Sequence, residues 1–435
     1  MDLKSNNQTV HIIGAGISGI GSAHYLKKAG FSSVLFEESD RIGGRAGFIT
    51  NGNGQLETGG KNFSSIWPLF NQILQEFKLE EIDNQHPNFH ILLGGKLMKF
   101  SKKVKISEAF SMLRGIGVKG CLQFLNFLRY VSHNRQKLNH TSGLIEKLED
   151  KFDSQPITNY FTKRLAYGPL RMFSIIMGGA EPDETYYSNL ALLLSGFGSG
   201  SHHSITGGIG KLFAKLSAPY NIQLSTRVNK IVVKHNKVVG LNFSSHDNKG
   251  FVPTDKVISS VPLNLLRTIL ELPPQLVRET DKIRYFPVIL INAEYEKDVF
   301  NGECNSIMFD HNFHLGHCSA NRLYKKNSVR FTLSGKKGRS ILDKFDEELI
   351  DLAEKEFSSV LPITSKRKLY HVQRHPGGIC AYGPNFTRVK RKITDHIAGI
   401  KGLEIAGDYL EGHCMEQCLR SAKNAVNALL NKSKF

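Results

Sequence analysis

Gly14, Gly16 and Gly19 stand in a G-x-G-x-x-G spacing, with Ser18 inside it, and an acid, Glu37, follows 18 positions after the last glycine. This combination suits dinucleotide binding. The first glycine turns the chain, the second lets the backbone approach a pyrophosphate, and the third packs a helix on a sheet, while the acid accepts hydrogen bonds from an adenosine ribose. A second group comes at once: Glu37, Glu38, Arg41, Gly43, Gly44, Arg45 and Gly47. An arginine fork offers paired donors to phosphate oxygens. A surface turn with solvated arginines is the plain alternative.

These residues need a strand, a helix and a second strand to hold them. Val10, Ile12 and Ile13 make a short apolar run that ends at Gly14-Ala15-Gly16, and Ile17, Ile20, Ala23 and Leu26 then recur at helical spacing. Gly30 falls where a left-handed residue commonly ends a helix, and Val34-Leu35-Phe36 reads as the next buried strand. A helix starting beside Gly16 aims its unpaired N–H groups and partial positive charge at a bound diphosphate.

The run Glu37-x-Ser39-Asp40-Arg41-x-Gly43-Gly44-Arg45-x-Gly47 resembles the FAD signature of the flavin-containing amine oxidase superfamily, which includes protoporphyrinogen oxidases and phytoene-desaturase-like enzymes. The resemblance implies an α/β fold: a Rossmann-type FAD-binding domain with a discontinuous α+β substrate domain. It implies FAD as cofactor, with Gly43 and Gly44 passing close to it and Arg45 meeting the diphosphate. Leu56-Glu57-Thr58-Gly59-Gly60 is similar to the family's acidic-x-Gly-Gly turn, which carries Gly59 and Gly60 beside the flavin ring. Val228, in the phrase Leu224-Ser-Thr-Arg-Val228, takes the role of a backbone contact to the adenine end. The closing phrase, from Gly402 to Leu430, supplies Gly407 and Asp408 for the ribityl or phosphate region and the N–H near Met415 for the pyrimidine edge of the flavin.

The same layout divides the chain. It implies an FAD-binding domain from residues 1–66, 206–265 and 395–435, and a substrate domain from 67–205, mainly helical with a glycine-rich break at 196–200, and 266–394. In the last of these segments Ile341, Leu342, Phe345, Leu349, Leu352, Ala353 and Phe357 are expected on one core face of a helix.

Flavin chemistry in such a family is hydride acceptance, with the protein supplying orientation and water exclusion. Amine oxidases of the family often carry a lysine on the strand matching 286–295. Leu290 stands there, and the run holds no lysine. That counts against a typical amine oxidase with fast oxygen reduction and leaves C–C or C–N oxidation open. Gly377-Gly378-x-Cys380 resembles the region where monoamine oxidases bind FAD covalently, though a buried thiol or plain core cysteine is the simpler reading. His371, His375 and Tyr382 are candidate proton acceptors, and none has a partner visible in sequence. Two other functions stay open: an FAD-binding protein of this fold with a binding or assembly role, and a nicotinamide-only dehydrogenase.

With 435 residues, 40% hydrophobic and 22% charged, the chain has the composition of a folded protein of more than one domain. No apolar stretch approaches the roughly 20 residues that span a bilayer, and the polar start runs into the first strand rather than a signal-peptide core. A cytoplasmic location is expected. Six cysteines without CxxC pairs fit reduced thiols; Cys414 and Cys418 lie beside His413, but no clear fourth ligand exists and no metal is expected. The net charge of +18 is densest over residues 96–137, where Glu108 is the only acid. No nucleic-acid module accompanies it. The aromatic and basic residues of this stretch suit either peripheral contact with an anionic membrane surface or a helix packed on its own domain with a solvated basic face. The expected partner is a small-molecule substrate, and the oligomeric state is not encoded in these motifs.

Overall fold

The computed structural model describes residues 9–51, 54–83, 89–100, 106–139, 142–196, 202–246, 248–300, 304–321 and 327–432. Residues 197–200 of the glycine-rich break and Lys102, Lys103 and Lys105 of the basic stretch lie outside them. In chain order the principal elements are β1 (Thr9–Ile13), α1 (Ile17–Lys28), β2 (Ser32–Phe36), α2 (Pro68–Glu76), β3 (Phe89–Leu93), β4 (Lys96–Phe100) and α3 (Ile106–His133). They continue with α4 (Ile209–Ser217), β5 (Asn221–Gln223), β6 (Val257–Ser259), β7 (Arg284–Tyr295), β8 (Arg367–Ala381), β9 (Leu403–Ile405) and α5 (Met415–Lys432).

The chain forms two compact units. The first collects residues 1–82, 203–283 and 387–435, and the second residues 83–202 and 284–386. In the first, five parallel strands run in the order β5-β2-β1-β6-β9. Numbered along the chain this is 3-2-1-4-5, so the order reverses beside β1, where the glycine turn begins. Val10, Ile12, Leu35 and Ile258 of the sheet, Ile20 and Leu26 of α1, Phe213 of α4 and Leu419 and Val426 of α5 share one buried core. Purely parallel strands with near-continuous apolar runs are covered on both faces, which is why these strands read as buried in sequence. An antiparallel sheet of Thr226–Lys234, Lys237–Ser245 and Asn248–Pro253 belongs to the same unit.

The compact units change over later than the sequence-based limit at 66/67. The reason is α2: Phe70, Ile73 and Leu74 bury into the core of β1 and α1, and its first N–H groups are met from α5. Likewise the limits at 205/206, 265/266 and 394/395 stand against changeovers at 202/203, 283/284 and 386/387.

The second unit holds a seven-stranded sheet, in the order β8, β7, Ser328–Leu333, Leu315–Ala320, Ser306–Met308, β3, β4. Residues 67–205 contribute β3 and β4 to this sheet beside their helices. β3 and β4 form a hairpin in which Gly94 and Gly95 take φ of 58° and 75°, the left-handed pair that a two-residue turn demands. The long helix α3 breaks at Gly117 (φ 75°, ψ 167°).

One helix begins later than the sequence pattern implies. Asp346–Ser358 is helical, whereas Phe345 sits before it with extended backbone and is 80% exposed. Three acids, Asp346, Glu347 and Glu348, crowd the first turn, where the helix dipole favours them, and the Glu348 carboxylate accepts the Phe345 N–H at 3.0 Å. Capping fixes the start, so of the expected face Phe345 alone stays out, while Ile341, Leu349, Ala353 and Phe357 are buried in the core and Leu342 and Leu352 pack against it.

Candidate cofactor site

The site is built at the end of β1. Gly14 turns with φ 96°, and Gly16 forms the extended N-cap of α1, which no side chain caps. A Cβ at Gly19 would lie 1.9 Å from the Gly14 carbonyl oxygen, so the helix can approach the turn only without a side chain there. At Gly14 the neighbour is Ser260, whose hydroxyl donates to the Ile13 carbonyl at 2.7 Å. Ser260 closes the turn from the end of β6 and was not anticipated. A serine one residue past a parallel strand at the sheet's reversal point was the available signal.

The arginine-glycine run folds back onto this turn. The Gly43 N–H donates to the Ala15 carbonyl at 2.9 Å, Gly16 and Gly43 form a parallel bridge, and Gly43 takes φ 100°. Gly44 lies so close that its Cβ would sit 3.4 Å from Gly16 Cα. Arg41 turns inward to the Gly44 carbonyl at 3.2 Å and covers Gly47, which makes it a brace of the run.

Glu37 extends from the end of β2 under the same turn. Its carboxylate accepts the Ala15 N–H at 2.7 Å and both the N–H (3.0 Å) and the hydroxyl (2.7 Å) of Ser39. A carboxylate has about four acceptor positions, so capacity remains beyond these three donors. Glu38 points elsewhere, to the exposed Arg227 at 3.3 Å. Val228 is buried on Thr226–Lys234, and the ladder bulges immediately after it. Thr226 donates to the Glu37 carbonyl at 2.7 Å, which ties this strand to the end of β2.

Gly59 and Gly60 meet the run from the other side. Gly60 N–H donates to the Arg45 carbonyl at 3.0 Å, and a Cβ at Gly59 would lie 1.9 Å from that oxygen. The buried Glu57 accepts the Ile209 N–H at 3.1 Å and thus orders the start of α4. By contrast, a Cβ on Gly16 or Gly60 would find no protein atom within 4 Å.

The chain's late segment joins here. Arg45 Nη1 donates to Asp408 Oδ2 at 2.6 Å, and the Gly407 N–H donates to the Ser421 hydroxyl at 3.0 Å. Met415 opens α5 and is buried in the shared core. Next to it Glu416 sends its carboxylate to the Phe70 N–H at 2.9 Å, capping α2. α5 packs on α1 at Gly21, whose Cβ would meet Leu419 Cδ2 at 2.7 Å, and the Ser18 side chain hydrogen-bonds Cys418. Burial drives the His413 imidazole down to about 4; Asp408 acts against this and Arg45 with it. Burial also pushes the Cys414 and Cys418 thiols up to about 12. His413 had been weighed only as a metal ligand. Among the described residues no group of three or more His, Cys, Asp or Glu converges to hold a metal.

The remaining candidates belong to the second unit. Leu290 is buried on β7, in register with Gln373 and Thr332. Cys380 is buried at the end of β8, and Tyr382 stacks on Phe386 with ring centres 4.1 Å apart. His371, opposite Asn292, is held below the ordinary imidazole range by burial, the nearby Asp346 opposing.

The first unit's residues fit a dinucleotide. An uncapped helix start, glycines with open space at Gly16 and Gly60, and an arginine ion-paired at the mouth of the turn give donors and room together.

Comparisons with known proteins agree. The flavin containing amine oxidoreductase family matches residues 17–430. Phytoene desaturase from Fusarium fujikuroi is 27% identical over 297 residues, 59% of this chain and 49% of that protein, so the chain spans about half the length of this relative. The chloroplastic and chromoplastic 15-cis-phytoene desaturase of Arabidopsis thaliana is 21% identical across 96% of this chain and 78% of its own length. Among solved structures, cyclohexylamine oxidase from Brevibacterium oxydans superposes with a TM-score of 0.79 over 99% of this chain and 100% of that one, at 15% identity, a likeness of fold. The chain belongs to the flavin containing amine oxidoreductase family, and its cofactor is FAD.

Proposed function

We propose that this protein is an FAD-dependent oxidoreductase that removes a hydride from a C–N or C–C bond of a small, largely hydrophobic substrate. The observation that carries the reading is the convergence of the glycine turn, the Gly43-Gly44-Arg45 run and Asp408 in one unit, from opposite ends of the sequence. Bound FAD supplies the two-electron acceptor. In this reading Gly14, Gly16, Ser18 and Gly19 hold the diphosphate, Glu37 and Glu38 the ribose side, and Val228 the adenine end. Gly43, Gly44, Gly59 and Gly60 lie along the cofactor, Arg45 neutralises phosphate charge, and Gly407, Asp408 and Met415 meet the ribityl chain and the ring. Residues of 67–205 and 266–394 receive the substrate.

Leu290, in place of the lysine that amine oxidases of the family often carry, favours a desaturase- or dehydrogenase-like reaction over an oxidase with fast oxygen reduction. An aliphatic side chain there offers no cation to a developing superoxide charge. We also place the protein in the cytoplasm, in peripheral contact with an anionic membrane through residues 96–137. Six cysteines outside any disulfide suit a reducing compartment. No helix among the described residues is long and apolar enough to cross a membrane.

The test is an absorption spectrum of the purified protein before and after acid precipitation, followed by anaerobic addition of candidate substrates. A yellow protein bleached by a hydrophobic amine or polyene supports the reading. A colourless protein that binds NADH would instead make it a nicotinamide-only dehydrogenase, and a flavin spectrum untouched by any substrate would favour a binding or assembly role.

A further inference from the structure

The helix α3 is apolar on two opposite faces. Beyond the break at Gly117, Phe124, Phe127 and Val131 turn inward and bury in the second unit's core. On the other side Val118, Leu122 and Leu125 follow at i, i+4 and i+7, and they remain 65%, 58% and 51% exposed. Arg129 continues the same row and Lys119 flanks it, while Arg114, on the far side of the break, is exposed as well. Just before the break α3 lies against the β3–β4 hairpin, since a Cβ at Gly115 would meet Leu93 Cδ2 at 2.7 Å. That hairpin exposes Lys96, Leu97 and Lys99 beside it. Three stacked aliphatic side chains facing water are a standing cost that a monomer's own fold does not require, whereas single exposed leucines need no explanation.

We infer that this face is a membrane-docking element whose aliphatic row enters the acyl boundary of an anionic bilayer. The inference rests on the peripheral contact proposed above and adds its mode: insertion rather than charge attraction alone. An aliphatic ridge rimmed by basic side chains matches a bilayer interface, where stems and leucines enter hydrocarbon and cationic heads stay among phosphates. A second copy of the chain is a poorer occupant, because a two-fold contact would set the basic rim against itself. Nucleic acid would meet the charges but leave the aliphatic row without a partner. Phe124 and Phe127, which sequence suggested for the interface, are instead core, and Tyr130 packs half-buried against them.

The test uses the full-length protein, as purified, with sucrose-loaded vesicles of phosphatidylcholine alone or with one third phosphatidylserine. Wild type is expected to sediment with the anionic vesicles. The triple variant Val118→Ser, Leu122→Ser, Leu125→Ser is expected to bind them about tenfold more weakly or less. Its flavin spectrum and gel-filtration volume should match wild type, which shows that the fold is kept. The variant Arg114→Glu, Lys119→Glu, Arg129→Glu should lose the preference for phosphatidylserine. Equal binding by the serine variant and wild type would overturn insertion while leaving the charge-led contact standing. Absence of wild-type binding would overturn both, and a wild-type dimer that the serine variant dissociates would assign the face to a second copy. None of these outcomes depends on turnover, so a colourless protein would sink the flavin reading without deciding this one.

Discussion

Arg45 and Asp408, 363 positions apart, meet through a hydrogen bond of 2.6 Å between guanidinium and carboxylate. The Asp408 side chain is 4% exposed and that of Arg45 34%. Replacing Arg45 by Met takes the ion-pair partner from a buried carboxylate, which costs on the order of 1–3 kcal/mol once the partial solvation of the arginine is allowed for. Arg45→Met is therefore expected to melt several degrees lower and to emerge from gel filtration with less FAD than wild type. Asp408→Asn keeps a hydrogen-bond acceptor and should be milder on both counts. Equal FAD content in wild type and Arg45→Met would remove Arg45 from the cofactor's surroundings.

The glycines separate folding from cofactor binding. Gly19→Ala forces a Cβ onto the Gly14 carbonyl, so it should lose both stability and FAD. Gly16→Ala adds a methyl to open space at φ −77°, a backbone any residue adopts. Its apoprotein should unfold in urea within about 0.5 kcal/mol of wild type. FAD affinity should nevertheless fall, because the methyl occupies the path of the diphosphate. If Gly16→Ala binds FAD as wild type does, the glycine turn does not cradle the cofactor.

A pH dependence follows from His413. Its folded pKa of about 4 lies below the unfolded value of 6.5, so the unfolded chain binds the proton first. The stability held by the neutral imidazole is complete above pH 6.5, declines as pH falls towards 4, and changes no further below that. The full span is roughly 3 kcal/mol. Asp153 works in the opposite sense over a similar range, since burial raises its carboxyl to about 6 and its contribution is lost as pH rises from 3.8. The whole-protein slope thus mixes the two. Urea unfolding of wild type and His413→Gln at pH 7 and pH 4.5 isolates the histidine: the gap between the proteins should change with pH, and a constant gap refutes the shift.

Two phenylalanines near one helix should respond very differently. Phe357 is fully buried, and Phe357→Ala is expected to cost about 3–5 kcal/mol. Phe345, 80% exposed, should tolerate alanine within about 0.5 kcal/mol. Parallel denaturant midpoints decide this, and comparable losses would mean that the helix begins earlier than Asp346.

What sequence disclosed here is what local chemistry writes down. The β1–α1–β2 unit was legible because apolar runs, glycine spacing and Glu37 all fall within thirty residues of one another. The closure of Gly14 by Ser260, the capping of α2 by Glu416 and the Arg45–Asp408 pair were not, since each joins segments far apart in the chain and leaves no periodicity behind. Phe345 misled for another reason: helical spacing continued past the point where acidic capping had already set the helix start. In the basic stretch, periodicity alone could not say which apolar face would find a partner.

The order of the parallel strands bears on how the polypeptide is made. When a ribosome has released β6, one edge of that strand stays bare until residue 403 follows and β9 can pair with it. At ordinary elongation rates that interval is about ten seconds or more. An unpaired strand edge during translation invites association with other nascent chains. With Asp408 in its proposed role beside the flavin, vitamin-derived cargo waits for the same late segment, and flavin loading then doubles as a check that synthesis has passed that residue.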